Sequence, residues 1–233
     1  MHFRGCAQEE NRLPRSYHSG DALEFIQSVK KEFKSSKLYA VGYSLGANML
    51  LKLLGELQKN TLIEKAVAVS PPMQLDICAN KMNQGVSKYY QHRLLKSLNN
   101  SLDKKYDTHD MQKLIKLKRD DIKNLRSFWA FDEAYTAPIH GFDSAQDYYT
   151  KSSSKQYLKT IQTPTLIIHS LDDPFMTPQV LPHKDELSDF VQLHITKNGG
   201  HVGFIAGSIF KPEYWLEKQI VKFLSCNQHQ KHS

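Results

Sequence analysis

Ser44 lies in the run Gly42-Tyr43-Ser44-Leu45-Gly46, between the short apolar stretch Lys37–Val41 and the helix-forming stretch Ala47–Gln58. A G-x-S-x-G pattern between a strand and a helix makes a sharp turn that strains the serine and lifts its hydroxyl clear of the sheet. Glycines two before and two after are expected to leave room for strand and helix to approach closely. The N–H of Leu45, at the helix start, then points where an oxyanion would form. The chemistry this suggests is nucleophilic attack by a serine on an acyl carbonyl.

A serine hydroxyl attacks poorly until a base takes its proton, and a histidine base works best when a carboxylate holds its other ring nitrogen. Two loops further along the chain supply these groups. Ser170-Leu171-Asp172-Asp173-Pro174-Phe175 follows the apolar run Pro164–His169, and Asn198-Gly199-Gly200-His201-Val202-Gly203-Phe204 follows the run Phe190–Ile195. The order Ser…Asp…His is the one expected when all three residues sit on loops at the C-terminal edge of one parallel sheet. We take Ser44 as nucleophile, His201 as base and Asp173, placed just before Pro174, as acid. Asp172 is the competing acid, with a second role in bracing the loop. His18, His140, His169 and His194 lack comparable surroundings and are read as structural.

The elements that must position these groups alternate in type. A helix capped by Ser19 or Asp21 is expected to run through Phe33, followed by the strand ending at Val41, the turn and its helix. Ile63–Val69 reads as a buried strand stopped by Pro71-Pro72. Residues 73–154 change character: they are rich in Lys, Asp, Asn and Tyr, carry no convincing strand, and read as an inserted helical cap. Within it, Ile77–Tyr90, His92–Leu98, Thr108–Leu117 and Ile122–Phe131 are candidate helices. After the two later strands and a short helix around Val180–Leu187, a helix is expected from Pro212 through Leu224. Such alternation predicts one α/β domain over residues 1–233, with a mostly parallel sheet covered by helices on both faces.

With 40% hydrophobic and 24% charged residues in 233, the chain has the composition of a globular protein with a sizeable core. The formal charge of +7 is spread rather than massed. Its densest stretch, Lys113–Lys123, is interrupted by Asp120 and Asp121 and belongs to no nucleic-acid motif, so no nucleic-acid partner is expected. Contact with the periphery of a membrane stays open, and no obligate protein partner is indicated. Cys6, Cys78 and Cys226 are far apart and odd in number, which argues against a disulfide framework or a zinc site and fits a cytoplasmic location. No secretory leader is read at Met1–Gly5, and no metal or organic cofactor is required.

The chain resembles the YheT-like branch of the α/β-hydrolases, the fourth AB-hydrolase family. The stretches that carry the resemblance are Phe3-Arg4-Gly5-Cys6, Asn11-Arg12, Tyr17–Asp21, Gly42–Leu50, Ala68–Pro72, Thr136–Phe142, Asp172–Met176 and Gly199–Phe204. It implies an α/β-hydrolase fold and hydrolysis of small-molecule or lipid carboxylic esters, with Ser44, Asp173 and His201 in the roles above. Members of that branch carry, before Phe-Arg-Gly, the first strands of the sheet and a His-Gly-type loop that donates a second oxyanion N–H. The chain is therefore expected to be N-terminally truncated and slow in turnover. Two rival readings accompany the esterase: an impaired remnant that only binds, and an acyltransferase using the same three residues.

Overall fold

The computed structural model describes residues 20–208 and 210–226. The strand end at His2–Cys6, the loop to Ser19, His18 and the tail from Asn227 lie outside them. The chain forms α1 (Gly20–Glu32), β1 (Leu38–Tyr43), α2 (Leu45–Leu57), β2 (Ile63–Val69), α3 (Leu75–Met82), α4 (Ser87–Lys105), α5 (Met111–Ile115), α6 (Phe128–Phe131), α7 (Ala137–His140), α8 (Ala145–Ser152), β3 (Thr165–Ser170), β4 (Val191–Thr196), β5 (Ile205–Ser208), β6 (Lys211–Tyr214) and α9 (Trp215–Ser225). Strands β1 to β4 form one parallel sheet in the order β1-β2-β3-β4. A separate antiparallel hairpin pairs β5 with β6.

The central strands explain why the sheet is covered on both faces. In β2, Ala66 and Ala68 pack with Leu50, Leu51 and Leu54 of α2. Val67 and Val69, pointing the other way, pack with Leu216 and Ile220 of α9. Side chains alternate across a strand, so a strand buried on both sides is mostly apolar; β3 is buried at all six positions, with Leu166, Ile167 and Ile168 in succession. β1 departs from the expected buried strand. It lies at one edge of the sheet, and Tyr39, Val41 and Tyr43 on one of its faces are exposed.

The α-helices between β2 and β3 fall within residues 73–154, and α4, α5 and α6 share an apolar cluster that includes Leu95, Leu102, Met111, Ile115, Ile122 and Phe131. Asn48 of α2 ties the insertion to the sheet layer. It is 3% exposed, its Nδ2 donates to the Ser152 carbonyl over 2.8 Å, and its Oδ1 accepts from the Ser154 N–H over 2.9 Å. A buried backbone group without a partner costs about 1–3 kcal/mol, so both bonds matter.

Several boundaries move for local reasons. The expected helix Ile77–Tyr90 breaks into α3 and α4 at Gly85, which takes φ +50°. The stretch around Val180–Leu187 forms two short 3₁₀ turns, Pro178–Val180 and Lys184–Glu186, because Pro182 cannot donate to a continuous helix. Pro212 does not open the last helix; it pairs with Gly207 in the hairpin, and the helix starts at Trp215. No helix among the described residues is long and apolar enough to cross a membrane.

Candidate active site

Ser44 occupies the turn between β1 and α2 with φ 51° and ψ −124°, a conformation that is costly for a residue bearing a Cβ. The surrounding backbone holds it there: the Ser44 N–H donates to the Val69 carbonyl over 2.9 Å, and the Ser44 carbonyl accepts from Ala47 and Asn48. The two glycines of the pattern are not equivalent. A Cβ on Gly42 would sit 2.7 Å from the Ala47 Cα, so that position must be bare. A Cβ on Gly46 would meet no described heavy atom within 4 Å, contrary to the expectation that both glycines make room for the crossing.

Three loops at the C-terminal ends of β1, β3 and β4 converge on this serine. His201 places Nε2 2.8 Å from Ser44 Oγ and Nδ1 2.7 Å from Asp173 Oδ2. Asp173 is 4% exposed and accepts a further bond from the Phe175 N–H over 2.9 Å. The Phe175 ring stands edge-on to the imidazole with centroids 4.6 Å apart. Asp172 reaches the same loop by another route. Its Oδ1 accepts from the Gly200 N–H over 2.8 Å and from the Ser170 hydroxyl, and these bonds, the serine's first, hold its carboxyl below the usual range. The two neighbouring carboxylates thus divide: Asp173 holds the imidazole and Asp172 holds the backbone beside it.

Glycine freedom shapes the histidine loop at two points. Gly200 takes φ +61°, and a Cβ on Gly199 would fall 2.5 Å from the ring of Phe204, which is buried below the loop. Ser70, at the end of β2 with φ 48°, also grips this loop by donating its hydroxyl to the His201 carbonyl. No local signal in Val69-Ser70-Pro71 marks a serine whose hydrogen-bond acceptor lies 131 residues away in sequence. His169 is buried in β3, and burial lowers its pKa against the opposing charge of Asp173. His194 stands edge-on to Trp215, 5.2 Å between centroids.

A cavity of about 410 Å³ opens on Ser44 and His201, walled by Leu75 and Met82 of α3, Leu98 of α4, Phe131 of α6 and Met176. Its size falls within the range of about 300–1,000 Å³ usual for ligand pockets. Leu45 also lines it and begins α2, where the first N–H groups have no acceptor inside the helix. Cys78 faces the cavity too, but burial and then the charges of Asp173 and Asp76 raise its pKa, which keeps the thiol protonated and unreactive. No group of three or more His, Cys, Asp or Glu side chains that could hold a metal ion occurs among the described residues.

One carboxylate stands in the cavity wall. Asp132, in the π-turn after α6, is pushed up to about 6 by burial, against hydrogen bonds from Thr136 and Tyr149 that lower it. Its folded pKa therefore exceeds its unfolded value of about 3.9. A raised pKa gives stability that is full below the unfolded value and is lost as pH rises through about 6. Asp132→Asn removes that dependence. Between pH 5 and pH 8 its unfolding free energy is expected to gain on the order of 1 kcal/mol on the wild type. Urea unfolding of both proteins at the two pH values measures the gain, and a constant difference would show that Asp132 is ordinarily solvated.

A family model described as alpha/beta hydrolase fold matches residues 1–208. The Escherichia coli K12 protein YheT, named as a candidate esterase, is 42% identical over 228 residues, covering 97% of this chain and 66% of that protein. The monoacylglycerol lipase of Saccharomyces cerevisiae is 29% identical over 230 residues, covering 95% of this chain and 50% of that one. The medium-chain fatty acid ethyl ester synthase/esterase 2 of the same yeast is 30% identical over 247 residues, covering 97% and 54%. The chain thus spans about half to two thirds of the length of these relatives.

Proposed function

The chain belongs to the α/β-hydrolase family, and from that premise we propose that it is a carboxylic ester hydrolase acting through Ser44, His201 and Asp173. The observation that carries this reading is the unbroken chain of short contacts from Asp173 Oδ2 to His201 Nδ1 and from His201 Nε2 to Ser44 Oγ. With Nδ1–H donating to Asp173, Nε2 is left to accept the serine proton. The relatives named as esterases and lipases point to the same bond class.

In the reaction, Ser44 Oγ bonds to the ester carbonyl carbon as its proton passes to His201 Nε2. The carbonyl oxygen becomes an oxyanion, toward which the Leu45 N–H is the donor we assign. The carbon–oxygen bond to the alcohol then breaks, and the imidazolium returns its proton to the leaving alkoxide. Asp173 stabilises the imidazolium without itself taking the proton. Water, deprotonated by His201, attacks the acyl-serine and releases the carboxylic acid. The apolar walls of the cavity suit an acyl chain or another hydrocarbon part of the substrate.

Incubation with a fluorophosphonate and with p-nitrophenyl esters of several chain lengths tests the reading. Covalent labelling together with release of nitrophenol is the expected result. Neither labelling nor hydrolysis would leave a binding role only, and labelling with acyl transfer to added alcohols in place of water would make the chain an acyltransferase.

A further inference from the structure

The cavity above Ser44 combines hydrocarbon walls with one polar cluster. The Tyr149 hydroxyl donates to Asp132 Oδ2 over 2.6 Å, and the Thr136 side chain supplies a second hydrogen bond to the same carboxylate. All three residues line the cavity that Ser44 and His201 open into. No basic side chain neutralises Asp132 among the described residues. Asp132 is half-buried and lines the cavity.

An ionised carboxylate offers about four acceptor sites, and two bonds leave the rest unused. A carboxylate held in a mostly apolar wall is favoured by each further group that donates to it. The Tyr149 ring, edge-on to Trp129 at 4.7 Å, is held firmly enough to aim its hydroxyl and so to orient the acid. The insertion could be tied together at this point by apolar packing alone, as it is around Leu95 and Leu102. The cluster is therefore an acceptor inside the substrate's cavity with capacity to spare.

We propose that Asp132, oriented by Tyr149, is a specificity-determining acceptor for a substrate hydroxyl, so that this cavity selects esters bearing a free hydroxyl over plain alkyl esters. The inference rests on the ester-hydrolase reading. A hydroxyl donating to a carboxylate makes a charge-assisted bond, roughly twice as strong as a neutral one. A site built around such a bond discriminates more sharply than a hydrocarbon pocket does, because a substrate without the hydroxyl sets its hydrocarbon against a carboxylate whose remaining acceptor capacity it cannot use. The hydroxyl can come from the alcohol portion of the ester or from its acyl chain. The chemistry at Asp132 is the same in both cases.

Two substrate pairs separate the sources. Comparing kcat/KM for 1-monobutyrin with that for n-propyl butyrate tests a hydroxyl on the alcohol side, and comparing methyl 6-hydroxyhexanoate with methyl hexanoate tests one on the acyl side. In the wild type, one pair is expected to show a preference of about 10-fold or more for the hydroxylated ester. Asp132→Asn and Tyr149→Phe are each expected to shrink that preference severalfold, mainly through a higher KM for the hydroxylated member. Tyr149→Phe keeps the aromatic packing, and the wild-type preference needs no variant, so a poorly folding Asp132→Asn does not shield the idea. Equal rates within both pairs, with p-nitrophenyl butyrate cleaved, would overturn this inference alone. A fall of both members of a pair by the same factor in both variants would reduce the cluster to a structural tie. Failure to cleave any ester, with no fluorophosphonate labelling, would overturn the hydrolase reading and this inference with it.

Discussion

Ser44→Ala is expected to lower kcat by about 10⁶-fold, the scale seen when a serine hydrolase loses its nucleophile, and to abolish covalent labelling by a fluorophosphonate. The fold should hardly notice. The Ser44 N–H bond to the Val69 carbonyl and the bonds from Ala47 and Asn48 are backbone contacts that alanine keeps. The strained φ of 51° is borne equally by any residue with a Cβ. Among the described residues, the side chain hydrogen-bonds through Oγ to His201 Nε2 alone. A melting curve close to that of the wild type, beside the lost rate, would separate chemistry from folding. Labelling that persists at another serine would move the nucleophile elsewhere. Ser70, buried and donating to the His201 carbonyl, is poorly placed to replace it.

Asp173→Asn should cost about 10⁴-fold in kcat. An amide at this position no longer forces the proton onto His201 Nδ1, so the ring can turn a hydrogen toward Ser44 in place of a lone pair, and the imidazolium loses its counter-charge. The effect should be large because Asp173 is buried and its Oδ2 lies 2.7 Å from the ring. Asp172→Asn disturbs only the loop, through the bonds from Gly200 N–H and the Ser170 hydroxyl. One such bond is worth about 0.5–1.5 kcal/mol, which sets the loss near 10-fold. Steady-state rates on p-nitrophenyl butyrate rank the two variants, and the reverse order would give the acid's role to Asp172.

Residue type and order were enough to nominate Ser44, Asp173 and His201, because the chemistry needs those types on successive strand-end loops and each loop follows an apolar run. They were also enough for the span Ile63–Val69, where the apolar run Ala66–Val69 ends just before two prolines. The sequence likewise indicated that no strand lies between β2 and β3, since polar stretches without β-branched runs make poor buried strands. Local signals failed where the deciding contact was distant. Lys37–Val41 looks like any buried strand, and only the strand order, with β1 at the edge, shows that one of its faces is exposed. Pro212 is equally suited to the start of a helix or to a hairpin, and the pairing of β5 with β6 decides for the hairpin. Ser70, though inside Ala68–Pro72, carries no sign of its partner, and Asp132 carries no motif. What distinguishes them is a carbonyl 131 residues away in one case and a tyrosine hydroxyl 2.6 Å away in the cavity wall in the other. Spacing reports only what a strand or a helix turn brings together, whereas the cavity wall and the grip on the histidine loop come from elements that meet only when the sheet and its insertion pack.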